Sequence, residues 1–441
     1  MAYVALIMFF LLFVLILKGY PVAFTLGGIA TAVGIYMMYV HPEYFQARDF
    51  HLLGSRMMGV MSNYVLMAVP LFIFMGITLE RSGLARDMLT TMAALMAGIP
   101  GGLAISVVMV GALLAASTGI VGATVVTMGM ISLPTMLEKG YSPSFASGTI
   151  AASGTLGQII PPSIVLVILA DSLSNASRSG QQIDVGGLFA VALLPGLVLV
   201  ALYILYVIAY AYFRPQQAPS LARPANRPGL KRTLRAFILP LGLILAVLGS
   251  IFAGIASPTE AAAIGALGAL TLTLFEGTLS YSMLREVGQE TAQLTAMIFF
   301  ILLGATTFTL LFRTLGGDDL LIHGLQTSGL SATQFLIVAL IVMFLLGFFI
   351  DFIEIIFILV PIITPLFEVY DMNLLWVGLL IAVNLQTSFL TPPFGFSLFY
   401  LKGVAPPSVR TGDIYFGIIP FVVIQLLFLS IIIAFPQWFI P

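Results

Sequence analysis

Cysteine is absent from all 441 residues, which removes disulfides, thiolate metal sites and cysteine nucleophiles together. Histidine is nearly as scarce. His41, His51 and His323 are the three, each near the end of an apolar run, where an interfacial or loop position explains it better than a metal ligand does. Charge is also thin, with 8% of residues charged against 60% hydrophobic and a mean hydropathy of +1.12. A soluble domain carries roughly a quarter charged residues, whereas stretches such as Leu239 to Ala256 here carry none. A bilayer must be the solvent. The net charge of -1 says nothing about partners, because in a membrane protein the placement of Lys and Arg matters more than their sum, and nothing suggests nucleic acid. Also missing are a Walker-type phosphate loop and the Ser-His, paired-Asp or His-Glu-x-x-His sets that intramembrane proteolysis needs. Buried Lys, Glu and His spread over several helices, as in a proton-pumping respiratory subunit, are missing too.

What the sequence does have is a succession of apolar runs of about 17 to 30 residues, long enough to cross ~30 Å of hydrocarbon as helix. They fall near 2–17, 20–40, 62–80, 145–172, 186–213, 234–256, 259–276, 291–313, 373–401 and 414–438. The first lacks a basic flank and a small-residue cleavage site, so it is expected to be a membrane helix, not a secretory signal. Two more runs, 103–136 and 332–366, are too long for one crossing. Their middles hold Gly, Ser and Thr or acids, and each is expected to be a re-entrant hairpin or a pair of crossings. Trp376 and Trp438 are expected to anchor at the interface.

The polar linker 214–235 holds six basic residues, four prolines and no acid, and should be cytoplasmic by the positive-inside rule. Threading outward from it puts thirteen basic residues inside and leaves Arg48, Arg56, Arg178 and Arg313 outside. The threading yields two halves of one plan running in opposite directions. The first is 1–213, with scaffold helices in 1–80, a hairpin at 103–136 and a broken helix at 145–172. The second is 236–441, with scaffold helices in 236–313, a hairpin at 332–366, a broken helix at 373–401 and a last helix at 414–438. Pro134, Pro161 and Pro162 recur as Pro365, Pro392 and Pro393, each 231 residues on. The expected architecture is therefore an all-α polytopic membrane protein with about ten transmembrane helices plus two re-entrant hairpins in inverted repeats, the layout of secondary transporters with a midplane site.

Two segments, SGTLGQIIPPS (153–163) and NLQTSFLTPPFG (384–395), cannot keep a regular helical ladder through their glycines and paired prolines. Freed carbonyls with the hydroxyls of Ser153, Thr155, Thr387, Ser388 and Thr391 are hard oxygen donors suited to a small cation; a proline kink satisfied by neighbouring helices is the plainer reading. Opposite lie the hairpin tips, 115–124 and 346–354. Asp351 and Glu354 are the only acids far inside an apolar run, where a carboxylate must be paired, protonated or cation-bound. Arg313 is expected to snorkel at a helix end. PTEAAAIGA at 258–266 faintly echoes the coupling segment of ABC permeases, but its spacing fails and it opens on the outer side. A passive channel and a proton-coupled carrier stay open as alternatives.

Five stretches together resemble the large membrane subunit of TRAP (tripartite ATP-independent periplasmic) transporters: Arg56 to Ala85, Ser132 to Ile168, Leu188 to Gly196, Ser257 to Ala266 and Asn384 to Gly403. The resemblance implies sodium-coupled import of an organic acid into a bacterium across its inner membrane. It implies an elevator-type fold, in which two hairpins and two broken helices slide against a scaffold. It also implies two partners, a periplasmic substrate-binding protein and a small four-helix membrane subunit expected here as a separate chain, with lipid around them and no prosthetic group. Carried over by position, one sodium (Na+) site uses Ser117, Thr118, Gly122, Ser153, Gly154 and Thr155, and a second uses Gly347, Asp351, Thr387, Thr391 and Pro392. The substrate is expected near Pro161, Pro162, Ser163 and Gly395. Residues 386–390, Gln-Thr-Ser-Phe-Leu, depart from the Ala-Ile-Gly of many sialate and C4-dicarboxylate members, which points to another branch, such as keto or aromatic acids. No positive side chain obviously reaches that pocket.

Overall fold

The computed structural model describes residues 2–43, 45–221 and 229–440. They fold into nineteen α-helices and, among the described residues, no strand. The first half contains α1 (Ala2–Leu17), α2 (Val22–Val40), α3 (Ala47–Met61), α4 (Ala68–Arg81), α5 (Leu84–Leu95), α6 (Gly102–Thr118), α7 (Val121–Glu138), α8 (Pro143–Thr155), α9 (Ile164–Ala176) and α10 (Val185–Phe213). The second contains α11 (Leu230–Phe252), α12 (Pro258–Glu276), α13 (Tyr281–Thr314), α14 (Gly317–Ser328), α15 (Ala332–Leu346), α16 (Phe352–Val369), α17 (Leu374–Leu390), α18 (Phe396–Val404) and α19 (Thr411–Ala434). Seven of them, α2, α7, α10, α12, α13, α16 and α19, are long and apolar enough to cross a bilayer.

The repeat seen in the prolines extends to whole helices. Moving α7 on by 231 residues gives the bounds of α16, and α8 moved likewise starts where α17 starts. Contacts are exchanged between the halves in reciprocal fashion. α4 packs on α12 while its counterpart α13 packs on α2, and α9 packs on α16 while α18 packs on α7. Such mutual exchange is what a pseudo-two-fold axis produces.

Both long apolar runs turn back on themselves, α6 into α7 through Gly119 and α15 into α16 through 347–351. Gly119 has φ +62, a left-handed turn that glycine adopts without a Cβ clash. Both Pro-Pro segments break their helices, between α8 and α9 and between α17 and α18, and both Pro-Pro bonds are cis. These broken helices form the centre. α17 buries every residue from Trp376 to Leu390, and α8 every residue from Phe145 to Thr155. Neither carries a charged residue, and most of their buried hydroxyls donate to carbonyls of their own helix, so both can be surrounded on every side. Around them, α1, α2, α12 and α19 turn large side chains outward, among them Phe10, Phe24, Phe275 and Phe416, as hydrocarbon-facing helices do.

Helices cross closely where both partners are glycine. A Cβ on Gly417 of α19 would lie 1.8 Å from the Ser144 carbonyl, and one on Gly148 of α8 would lie 2.1 Å from the Gly417 carbonyl, the small-residue packing that membrane helices use.

Three sequence expectations change. Trp376 is buried at 8% exposure and donates its indole N–H to the Ile432 carbonyl at 3.2 Å, so it packs inside; Trp438 stays 63% exposed. α13 starts ten residues before its apolar part, at Tyr281, and α3 is an extra amphipathic helix ahead of α4. The first part of the basic linker is tied down, with Gly98, Gly101 and Ser142 donating backbone N–H to the carbonyls of Leu221, Ala218 and Gln217; its middle, 222–228, lies outside the described residues.

Candidate functional site

The first hairpin tip wedges into the first broken helix. A Cβ on Gly154 would meet Val125 Cγ2 at 2.4 Å, one on Gly157 the Ala115 carbonyl at 2.4 Å, and one on Gly111 the Ser153 side chain at 2.7 Å. The end of α6 and the start of α7, which carry Ser117 and Gly122, are therefore packed against the segment of α8 that carries Ser153, Gly154 and Thr155. Thr118 closes α6, and its side chain lies outside the described residues. The second tip meets the second broken helix, for a Cβ on Gly347 would lie 2.2 Å from Ser388 Oγ.

The hydroxyls behave alike in both halves. Ser117 donates to the Leu114 carbonyl at 2.8 Å, Ser153 to Ile150 at 3.0 Å and Thr155 to Ala152 at 2.9 Å. Thr387 donates to Val383 at 2.7 Å and Thr391 to Thr387 at 2.8 Å. Each proton is thus committed to its own helix, which leaves the oxygen lone pairs free as acceptors, and an oxygen with free lone pairs is the hard donor that an alkali cation takes. The donor set fits such an ion.

Asp351 caps α16, its Oδ1 accepting from the Ile353 N–H at 3.0 Å, while Glu354 accepts from the Asp351 N–H at 3.2 Å. This capping box gives both acids backbone partners. Through that bond Glu354 braces the backbone at the tip.

Between the two tips lies a cavity of about 380 Å³, within the usual range for a small-molecule site. Gly119 to Ala123 of the first tip, Asp351 to Ile353 of the second, Ile164, Phe389 and Tyr400 form one wall, and Ile73 and Glu80 of α4 with Glu290, Leu294, Met297 and Ile298 of α13 form the other. No Lys or Arg lines it. Glu80 accepts from the Thr127 hydroxyl, and Arg81 pairs with Glu286 at 2.9 Å and Glu290 at 3.1 Å just outside.

Pro161, Pro162, Ser163 and Gly395 do not line this cavity but sit buried behind it. Ser163 donates to the Gln158 carbonyl at 2.9 Å and caps α9, and a Cβ at Gly395 would strike the Phe389 carbonyl at 2.5 Å. Pro392 is half-buried. The residues missed by sequence reasoning are Tyr400, whose ring lies 3.1 Å from where a Gly122 Cβ would stand, and two acids, Glu80 of α4 and Glu290 of α13. No motif flags them, since they converge from α4, α13 and α18.

A second cavity, of about 430 Å³, lies further along α13. It is lined by Arg56, Asn63, Asp171, Asn175, Thr306 and Arg313 among others.

Residues 9–438 match the family model for the tripartite ATP-independent periplasmic transporter, DctM component. The chain is 32% identical over 402 residues to a C4-dicarboxylate TRAP transporter large permease of Pseudomonas aeruginosa, covering 89% of this chain and 91% of that one. It is 28% identical to an ectoine TRAP large permease of Halomonas elongata, covering 96% and 95%. An isethionate TRAP permease, DctMQ, of Oleidesulfovibrio alaskensis is 28% identical, and the match covers 98% of this chain but 65% of that longer one. In fold the chain resembles the YdaH transporter of Alcanivorax borkumensis, with a TM-score of 0.66 at 16% identity over 89% of this chain and 90% of that one.

Proposed function

Since the chain belongs to the DctM-component family of tripartite ATP-independent periplasmic transporters, a family of membrane permeases and not of enzymes, we propose that it imports an organic carboxylate, coupled to sodium, by an elevator movement. The inner cavity carries this reading. It is bounded on one side by both hairpin tips and both broken helices, and on the other by α4 and α13, so one body holds the cargo and the other forms the track.

In this mechanism α6 to α9 and α15 to α18 move as the transport body, while α1 to α4 and α11 to α13 form the scaffold. The hydroxyls of Ser117, Ser153 and Thr155, with freed carbonyls around Gly122 and Gly154, hold one sodium ion. Asp351, Thr387, Thr391 and carbonyls near Gly347 and Pro392 hold the other. The cargo carboxylate lies in the tip cavity beside Gly122, Phe389 and Tyr400, with Pro161, Pro162, Ser163 and Gly395 shaping the backbone behind it. Without Lys or Arg there, bound sodium and the amide-bearing helix starts at the tips supply the counter-charge. The cavity's apolar wall, Ile164, Phe352 and Phe389, favours a cargo with an apolar body.

Relatives are named for C4-dicarboxylates, ectoine and isethionate, and the tripartite family name supports two partners for this chain: a binding protein delivering the cargo and a small membrane subunit. The DctMQ relative, longer than this chain, supports that second partner. The bacterial inner membrane is the setting these relatives support. The test is uptake in proteoliposomes holding the chain, the small subunit and the binding protein. Uptake is expected to follow an inward sodium gradient. Uptake that ignores sodium and follows a pH gradient would move the coupling to protons, and non-saturating flux without the binding protein would make the chain a channel.

A further inference from the structure

The second cavity brings together charges that no part of the inner site uses. Arg56 comes from α3 and Arg313 from the last turn of α13, and both face a recess between α3 and α13 on one side and α9 and α16 on the other. Arg313 is 26% exposed, ion-pairs through Nε with Asp318 at 3.2 Å, and donates to the Pro361 carbonyl at 3.1 Å and the Ala176 carbonyl at 3.4 Å. Asp318, 3% exposed, also takes Arg178 at 2.9 Å. Asp171, the one acid among the described residues that line the recess, is occupied by the Asn63 amide at 2.7 Å and by Asn175.

With both acids engaged, Arg56 has no hydrogen-bond or ion-pair partner among the described residues, and its charge repels Arg313 across the recess. Two guanidiniums lining one cavity, with Arg56 exposed and unpaired, favour an anion there, because an anion offsets their repulsion and uses the spare N–H donors.

The location says which anion. On α13, Glu290, Leu294, Met297 and Ile298 line the inner cavity, and Leu302, Ala305, Thr306, Thr309 and Arg313 line this one. Residues spaced three and four apart make one continuous stripe on a helix, so a single face of α13 runs from one cavity to the other, the middles of the two sets lying about 18 Å apart at 1.5 Å per residue. α9 and α16 likewise contribute to both, Ile164 and Phe352 to the inner cavity, Asp171 and Pro361 to the second. Arg56, Arg178 and Arg313 are also among the four basic residues that threading places outside.

We propose that the Arg56–Arg313 recess is an outer carboxylate subsite, which takes the cargo's carboxylate on the external side before the tip cavity does; this rests on the import reading above. Docking of an acidic side chain from the binding protein fits less well, since Arg313 is only partly exposed and is already held by the buried Asp318.

The chain's lack of cysteine allows a direct test with Thr306→Cys in the purified full-length protein. Rates of modification are compared for an anionic (sulfonatoethyl) and a cationic (trimethylammonioethyl) methanethiosulfonate. The anionic reagent is expected to react at least tenfold faster, and sodium acetate, but not sodium chloride at equal ionic strength, to slow it. Arg56→Gln should bring the two rates together, while Arg56→Lys keeps most of the preference; neither changes a side chain that the fold uses. A rate ratio that Arg56→Gln leaves unchanged overturns the subsite, and so does equal slowing by chloride, which marks an unselective anion recess. Slowing that needs the binding protein and not acetate assigns the recess to docking and also overturns it. In uptake, Arg56→Gln should raise the cargo half-saturation and leave that for sodium unchanged. If unsubstituted protein shows no sodium-driven uptake while the reagent results hold, the function is wrong and the carboxylate site stands.

Discussion

Replacing Gly154 by Ala tests how the first hairpin and the first broken helix are fitted together. A Cβ there would stand 2.4 Å from Val125 Cγ2 and 3.2 Å from the Val125 Cα and N, against about 3.7 Å for an ordinary carbon contact, a deficit of about 1.3 Å. Rotating Val125 gives little relief, because a β-branched side chain in a helix is held to one rotamer, and the backbone lies close behind it. α8 therefore has to move away from α7, at a cost of roughly 1–3 kcal/mol for an overpacked core. The same shift parts Ser153 and Thr155 from the Ser117 end of the hairpin. Gly154→Ala should lower the thermal midpoint in detergent by several degrees and raise the sodium concentration for half-maximal uptake. Val125→Ala removes the clashing methyl groups, so the double variant should recover part of both losses, with a coupling of roughly 0.5–3 kcal/mol. Gly249→Ala is the control, since nothing lies within 4 Å of a Cβ there, and it should be neutral or stabilising by up to roughly 1 kcal/mol. Unchanged stability in Gly154→Ala, or losses in the double variant that simply add, would refute the argument.

Asp351→Ser keeps an N-cap and should hold stability within about 1 kcal/mol of the parent while raising the sodium requirement; Asp351→Ala should lose both, and equal sodium dependence in the two and the parent would leave Asp351 a cap alone. Gly417→Ala places a Cβ 1.8 Å from a backbone carbonyl, which no rotamer relieves, so size-exclusion chromatography should show loss of the folded peak, and an unaltered profile would contradict the close α8–α19 crossing. Arg81→Gln breaks two pairs whose side chains are 39–50% exposed and should change the thermal midpoint by the equivalent of less than about 1 kcal/mol; a large loss would show that the pairs act as a buried network.

Much of this fold was legible because membrane helices announce themselves by length and apolarity, and because Gly and Pro break helices where no water can repair the ladder. The hairpins, both Pro-Pro breaks and the 231-residue offset all follow from that. Elements governed by amphipathicity were not legible in the same way. α3 and the first ten residues of α13 are polar on one side, so hydropathy passes over them. Trp376 departs from the interface expectation because an indole suits either an interface or a buried site with a carbonyl in reach, and the carbonyl, Ile432, lies 56 residues further on. Tyr400, Glu80 and Glu290 around the inner cavity, and Arg56 beside Arg313 at the outer one, become neighbours only through packing between distant helices, which no local pattern encodes.

The length of α13 sets the water level of the site. Its 34 residues span about 51 Å at 1.5 Å per residue, against a hydrocarbon slab of about 30 Å. Fitting all of it inside would need a tilt of roughly 54°, beyond the 0–40° seen for membrane helices. At least part of the helix must therefore stand in the headgroup layer, and its polar first turns, with Arg285, Glu286 and Glu290, are the part suited to that. Glu290 and its partner Arg81 then lie at the wet margin of the slab, so the inner cavity, which Glu290 lines, reaches the depth where hydrocarbon gives way to water.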